Sequence, residues 1–482
     1  MLRRVARATD EQIEAVDLFA AGGDLKVFAF AGAGKTRALE MMADEARGPA
    51  LYLAFNRSIA AEARGRFPPG TGCSTVHGLA FQALKGAFGD DKMLGALALP
   101  DLVEILELDD RPFGAGELTA RSQAALVRAA LDRFLHGTDE RPGERHVPLA
   151  GALAKLPPDL GLQLVADTAA KARDLWAQMT DPCNPVPLGH DGYLKLWAME
   201  RPKLSADHIL LDEAQDTNPV VLDVIRAQDA QVVYVGDPHQ RIYGWRGAVD
   251  VMTAVPAARA AHLTRSFRFG EPIAAAASRV VAALGETRRL EGNPAIDSAI
   301  GRCAPDAMIA RTNAGVVDAV LDALMIAERP HVVGGTGELL RLLVGVDRLK
   351  QGRGADAPEL LGFARWGDVV EAAWQDRSSG LGTLVDLVEE HGEDRLIAAL
   401  GKVAPDEGRA DVVVTTAHRA KGREWNRAQL RDDFVGGLDR LDPAEARLFY
   451  VALTRARRAV DVPAEAAGFF GIEADAPTGV AA

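Results

Sequence analysis

Lys35 and Thr36 close a loop of small residues, Ala31-Gly32-Ala33-Gly34, that follows an apolar run at 27–30 and precedes a helical pattern from Arg37. Strand, small-residue loop, Lys-Thr and helix together can cradle phosphate. Small side chains let backbone N–H groups approach the oxygens, and the helix N-terminus adds partial positive charge. In such a cradle Lys35 reaches the β- and γ-phosphates and Thr36 offers its hydroxyl to Mg²⁺. Ala29 stands where the first glycine of the pattern usually falls, and an ordinary strand–turn–helix is the plainer reading. Downstream, Asp212-Glu213 follows the apolar run 208–211. Asp212 can hold the metal that bridges the phosphates, and Glu213 can orient and deprotonate an attacking water. An acidic helix cap is the alternative. Gln240 lies close enough behind the apolar run 232–235 to sense a γ-phosphate.

A second chemistry is present. Tyr243, Trp245 and Arg246 put two aromatic faces and a guanidinium within four residues, which suits stacking on unpaired bases at ~1–3 kcal/mol per base. Gln12, in a capped helical pattern upstream of the loop, has an amide that can read one edge of adenine. A surface glutamine is the simpler reading. Arg268 and Arg455 each follow an apolar segment in the second half of the chain, and Arg455 could act as an arginine finger.

These residues need elements to hold them. Residues 50–55 read as a buried strand, which puts Phe55, Asn56 and Arg57 at the carboxyl edge where parallel α/β sheets bind ligands. The stretch 73–78 has the same character, and its His77 could touch a phosphate or base. From about 89 to 194, Leu and Ala recur at helical spacing without a catalytic constellation. Strand–turn units resume near 208, 232, 262, 307, 331 and 412, with 346–405 mostly helical. The tail from Pro463 is rich in Ala and Gly and is expected to fray.

Composition narrows the classes. At 482 residues, 48% hydrophobic, the chain can build about two to four domains. No apolar run is long enough to span a bilayer, so a soluble, cytoplasmic protein is expected. Three widely separated cysteines support neither a disulfide scaffold nor an iron–sulfur cluster. The net charge of −13 argues against a non-specific binder held by a basic face, but not against a narrow groove that stacks bases.

Taken in order, AFAGAGKT, LLDEAQD, VGDPHQRIYGWRGA, TAHRAKGREW and FYVALTRA, supported by YLAFNRS, CSTVHGLAF and TRSFR, resemble the superfamily 1A DNA helicases of the UvrD/PcrA/Rep type. Within that group the chain is most similar to the compact F-box helicase branch. The resemblance covers about residues 9 to 458. It implies an α/β fold of two RecA-like P-loop NTPase domains with parallel sheets, each carrying a helical insertion, and ATP between them. The expected layout is 1–88 with 195–260 for the first RecA-like domain, 89–194 for its insertion, 261–345 with 406–482 for the second, and 346–405 for a short second insertion. The resemblance further implies that Ala31, Gly32, Ala33, Gly34, Lys35, Thr36 and Arg37 contact the nucleotide, with Gln12 on adenine, Phe267 stacked on it and Glu424 on the ribose. Thr36 and Asp212 bind Mg²⁺, and Glu213 is the base. Gln240, Arg268 and Arg455 contact the γ-phosphate. Phe55, Asn56, His77, Tyr243, Trp245, Arg246 and His418 form the single-stranded DNA track. The implied activity is 3′→5′ helicase or translocase action, by a monomer, on single-stranded DNA and single-strand/duplex junctions. A translocase that displaces proteins without much unwinding, and an NTPase module of a phage-defence system, stay open. The segment 346–405 is much shorter than the corresponding insertion of UvrD. His239, Arg241 and Arg423 stand where better-known helicases often carry other residues, His239 being usual in the F-box branch.

Overall fold

The structure is a computed structural model that describes residues 8–113, 116–149, 156–243, 251–257, 259–355, 357–360, 363–375, 380–437 and 442–473. The chain divides into two compact units. One holds the residues up to Ala29 together with Gly34–Leu263, and the other holds Phe30–Ala33 with the residues from Thr264 onward.

The first unit is built on strands β1 (Leu25–Ala29), β2 (Ala50–Leu53) and β3 (Gly72–Ser74), a small antiparallel hairpin of β4 (Arg111–Phe113) and β5 (Gly116–Leu118), and then β6 (His208–Leu211), β7 (Gln231–Gly236) and β8 (Arg259–Leu263). Its main sheet runs β3-β2-β6-β7-β1-β8, with every pairing parallel. The apolar runs Ile209–Leu211 and Val232–Val235 are buried, as strands covered on both faces require. Ala29 still pairs with Leu263, so the position where a glycine is usual belongs to the strand here and has no need of glycine's freedom.

The helices start where the strands stop, and polar residues at these junctions cap them. Asn56 accepts from the Ile59 N–H at 2.9 Å and Thr75 from the Gly78 N–H at 2.9 Å. The helical segment after Gly89 shares a core with the sheet. Phe134, Leu175, Trp176 and Tyr193 pack in one cluster with Leu53, Ile209 and Tyr234.

The second unit repeats the plan with β9 (Ala299–Ile300), β10 (Ala307–Ala310), β11 (Pro330–Val332), β12 (Val412–Thr416), β13 (Trp425–Leu430) and β14 (Ala456–Asp461). The order is β11-β12-β10-β13-β14-β9, again parallel throughout. Helices between Gly337 and Leu400 bury Leu343, Leu384 and Leu396 in one core with Met308 and Val414.

Two expectations change. Arg259–Leu263 pairs in register with β1, so the chain leaves the first unit after Leu263 rather than at 261. The tail does not fray from Pro463. Ala464–Phe470 is helical, with Ala466 buried and Phe470 stacked on Phe449 at 5.2 Å. The apolar residues at that end of the chain are spaced to cover one helical face, which their small neighbours obscure. No helix among the described residues is long and apolar enough to cross a membrane.

Candidate active site

Strand order gathers the chemistry of the first unit. β6, β7 and β1 are neighbours. Their carboxyl ends therefore bring together Asp212 and Glu213 after β6, Gln240 after β7, and Gly34 and Lys35 after β1. Helix Lys35–Glu45 begins behind Gly34, which sits at φ +77, and no side chain caps its first amides. Thr36 lies in that first turn, and Arg37 pairs with Glu40 at 3.3 Å.

Lys35 Nζ meets Glu213 Oε1 at 3.1 Å. Burial opposes the ammonium, but the charges of Glu213, Asp212 and Asp237 outweigh it and raise its pKa above the ordinary lysine value. Asp212 moves up out of the usual carboxylate range, first through burial and then through the adjacent charge of Glu213, with Lys35 and hydrogen bonds holding it back. Its Oδ2 accepts from the Tyr52 hydroxyl at 2.8 Å and its Oδ1 from the Glu213 N–H at 2.9 Å. Glu213 adopts a left-handed backbone, φ +52 and ψ 41, a conformation that costs a non-glycine residue of order 1–3 kcal/mol and tends to be kept at functional sites. Gln215, fully buried, donates to Glu213 Oε2 at 2.5 Å and accepts from the Asp237 N–H at 3.1 Å. Asp237 in turn accepts from Gln240 Nε2 at 2.7 Å.

Gln12 is buried. Its Oε1 accepts from the Thr9 N–H at 3.1 Å, closing a capping box, and its Nε2 donates to the Gly34 carbonyl at 3.3 Å. The amide is thereby fixed against Gly34.

These groups suit a magnesium–nucleotide. Uncapped first-turn amides and a lysine held protonated match phosphate oxygens. Two crowded carboxylates, one pushed toward protonation, match a divalent cation that relieves their repulsion.

A cleft of about 190 Å³ in the same unit runs from Asp212 and Glu213 to Phe55, His77 and Tyr243. Phe55 is 48% exposed, and its ring lies 6.2 Å from that of Tyr243, within 14° of parallel. Asn56 spends its side-chain oxygen on the helix cap and on the Ser58 hydroxyl. His77 Nε2 lies 3.2 Å from Asp191 Oδ1, whose other oxygen is 3.5 Å from His136 Nε2. Trp245 and Arg246 lie outside the described residues.

In the second unit the Ala31 N–H donates to the Tyr450 hydroxyl at 3.1 Å, the Ala33 N–H to the Phe30 carbonyl at 3.1 Å, and the Phe267 N–H to the Gly32 carbonyl at 2.8 Å. Gly32 sits at φ +73, and a Cβ there would fall 2.6 Å from Ser266 Oγ and 2.7 Å from Arg268 Cβ, so no side chain fits. Phe267 is 40% exposed. Arg268 Nε pairs with Glu424 Oε1 at 2.6 Å, and its Nη1 donates to the Thr454 carbonyl at 3.1 Å. Arg455 is buried, with Nε on the Val451 carbonyl at 2.8 Å and Nη2 on Thr454 Oγ1 at 3.2 Å. The two arginines therefore meet at Thr454, and Glu424 joins them through Arg268. His418 is half-buried in the short helix Ala417–Ala420 that follows β12.

Three supporting residues had no role in the sequence reading. Gln215 and Asp237 stand inside the motifs that carry Asp212 and Gln240. Tyr52 had no local signal, because its partner is 160 positions away and only strand pairing joins them.

A family model described as the UvrD/REP helicase N-terminal domain matches residues 8–254, just over half of the chain, and the UvrD-like helicase C-terminal domain matches residues 411–462. Among curated proteins the chain is similar to F-box DNA helicase protein 1 of Schizosaccharomyces pombe, with 31% identity over 91% of this chain and 55% of that protein. It is also similar to F-box DNA helicase 1 of Gallus gallus, with 30% identity over 91% and 47%. DNA helicase II of Escherichia coli is 29% identical over 56% of this chain and 40% of its own length. The chain thus spans about half the length of the F-box relatives it matches.

Proposed function

We infer, for a chain that belongs to the UvrD/REP helicase family, that it hydrolyses ATP to move along single-stranded DNA in the 3′→5′ direction, opening duplexes or displacing proteins as it goes. The observation that carries this reading is the Lys35–Glu213 pair beside Asp212, at the foot of an uncapped helix. An acid that serves only as a helix cap would not be tied to the loop lysine, nor be held in a left-handed backbone.

The roles follow from the contacts. Lys35 and the first-turn amides of helix Lys35–Glu45 bind the β- and γ-phosphates. Thr36 and Asp212 hold Mg²⁺, which when bound neutralises charge building on the phosphate oxygens. Glu213 exchanges Lys35 for the attacking water and takes its proton, with Gln215 keeping the carboxylate aimed. Gln240, linked to Asp237, sits where β7 ends and senses the γ-phosphate. Arg268 and Arg455 supply positive charge to the same phosphate, and Gln12, Phe267, Arg37 and Glu424 contact the rest of the nucleotide. Phe55 and Tyr243 stack on bases, with His77 and His418 along the same strand of DNA.

The test is ATP hydrolysis with and without single-stranded DNA, run beside unwinding of duplexes with 3′ or 5′ tails. Stimulated hydrolysis and opening of 3′-tailed duplexes are expected. Hydrolysis indifferent to DNA would overturn the motor, and stimulation without strand separation would leave translocation as the output.

A further inference from the structure

We propose that Tyr52 is a positioning residue for the metal ligand Asp212, an inference that rests on the ATP-site reading above. Tyr52 pairs with Leu210 across β2 and β6, so Asp212, two residues further on, projects from the same face of the sheet. The Tyr52 ring is fully buried and lies 4.5 Å from that of Phe67. Its hydroxyl donates to Asp212 Oδ2 at 2.8 Å while the Glu213 N–H holds Oδ1 at 2.9 Å. A carboxylate held by a donor at each oxygen is restricted in its rotation.

The grip has a reach beyond the acid. β2 ends at Leu53, and Phe55 in the aromatic cleft follows two residues later. The strand that holds Tyr52 thus leads within two residues into a ring proposed to contact DNA.

A buried hydroxyl also needs some partner merely to be satisfied. A direct measure of metal affinity separates the two roles. Tyr52→Phe keeps the ring and its packing and removes one oxygen. Mn²⁺ binding is followed by electron paramagnetic resonance, with adenylyl-imidodiphosphate bound and no turnover, for the wild type, Tyr52→Phe and Asp212→Asn. Melting temperatures are taken in EDTA. Tyr52→Phe is expected to weaken Mn²⁺ about 10-fold, as loss of a group that orients a ligand does, with analogue affinity in EDTA unchanged. Asp212→Asn should weaken it further. Unchanged Mn²⁺ affinity in Tyr52→Phe, with or without a lower melting temperature, while Asp212→Asn binds weakly, overturns the role of Tyr52 and leaves the ATP site standing. Unchanged affinity in Asp212→Asn overturns both.

Discussion

Lys35 and Glu213 form an ion pair across two strand ends, 3.1 Å apart, with both side chains mostly out of solvent. On the proposed ATP-site reading, each is the group that the other would release when a nucleotide enters. Lys35→Ala removes the charge proposed to bind phosphate and takes from Glu213 its partner at 3.1 Å. ATP turnover should fall at least about 100-fold, as expected for loss of a charge aimed at the transferring phosphoryl group. Single-stranded DNA binding should persist. Phosphate release and DNA anisotropy check both halves, and unaltered turnover would remove Lys35 from the mechanism.

Glu213→Gln keeps the size of the side chain and its neighbour Gln215 but removes the proposed base. Hydrolysis should drop by about 10²–10⁴-fold, the usual worth of a positioned general base. ATP affinity should hold or tighten, because Lys35 is freed from its carboxylate. Single-turnover hydrolysis beside equilibrium ATP binding is the measurement. Equal losses in both would make Glu213 a structural residue.

Phe55 is a large apolar ring that the fold leaves half in water, near-parallel to Tyr243. Phe55→Ala should therefore cost little stability. It should weaken single-stranded DNA by ~1–3 kcal/mol, the worth of one stacked base, and leave DNA-free hydrolysis alone. A titration against labelled oligonucleotide, with a melting curve as control, decides it. Unweakened DNA binding would place the base track elsewhere.

That the small-residue loop and the acidic pair each follow a strand was legible in the amino-acid sequence because the pattern is local. Strand, loop and helix lie within a few residues, and Asp212-Glu213 abuts its own strand. Strand order was not, since β1 lies between β7 and β8 through crossovers that no local pattern encodes. The groups that hydrogen-bond the acids were hidden for the same reason, as Tyr52 reaches Asp212 only because β2 pairs with β6. Gln12 shows the reverse. Thr9-Asp10-Glu11-Gln12 is a local capping-box pattern, and the structure uses the amide that way as well as fixing it to Gly34.

Asp191 joins His77, from the helix after β3, to His136, from the helical segment after Gly89. Arg57, His190 and Tyr193 also face it or its partners, and the His136 Nδ1 donates to the Asp132 carbonyl at 2.7 Å. Burial opposes the charged His136 ring, but the hydrogen bond and charge of Asp191 outweigh it, so its pKa is raised in the fold. Burial likewise works against the Asp191 carboxylate, and His136 and His77 hold it well below the usual range. A raised histidine pKa stabilises the fold fully below the unfolded value of about 6.5 and ceases to do so as pH climbs through the folded one. The depressed Asp191 pKa gives stability that is lost only in acid, below the unfolded value of about 3.9. Asp191→Asn should therefore lower the melting temperature most near pH 6 and progressively less toward pH 8.5. Calorimetry across that range checks it. A deficit that stays constant with pH would mean that Asp191 acts through packing and hydrogen bonding, with no charged partner in His136.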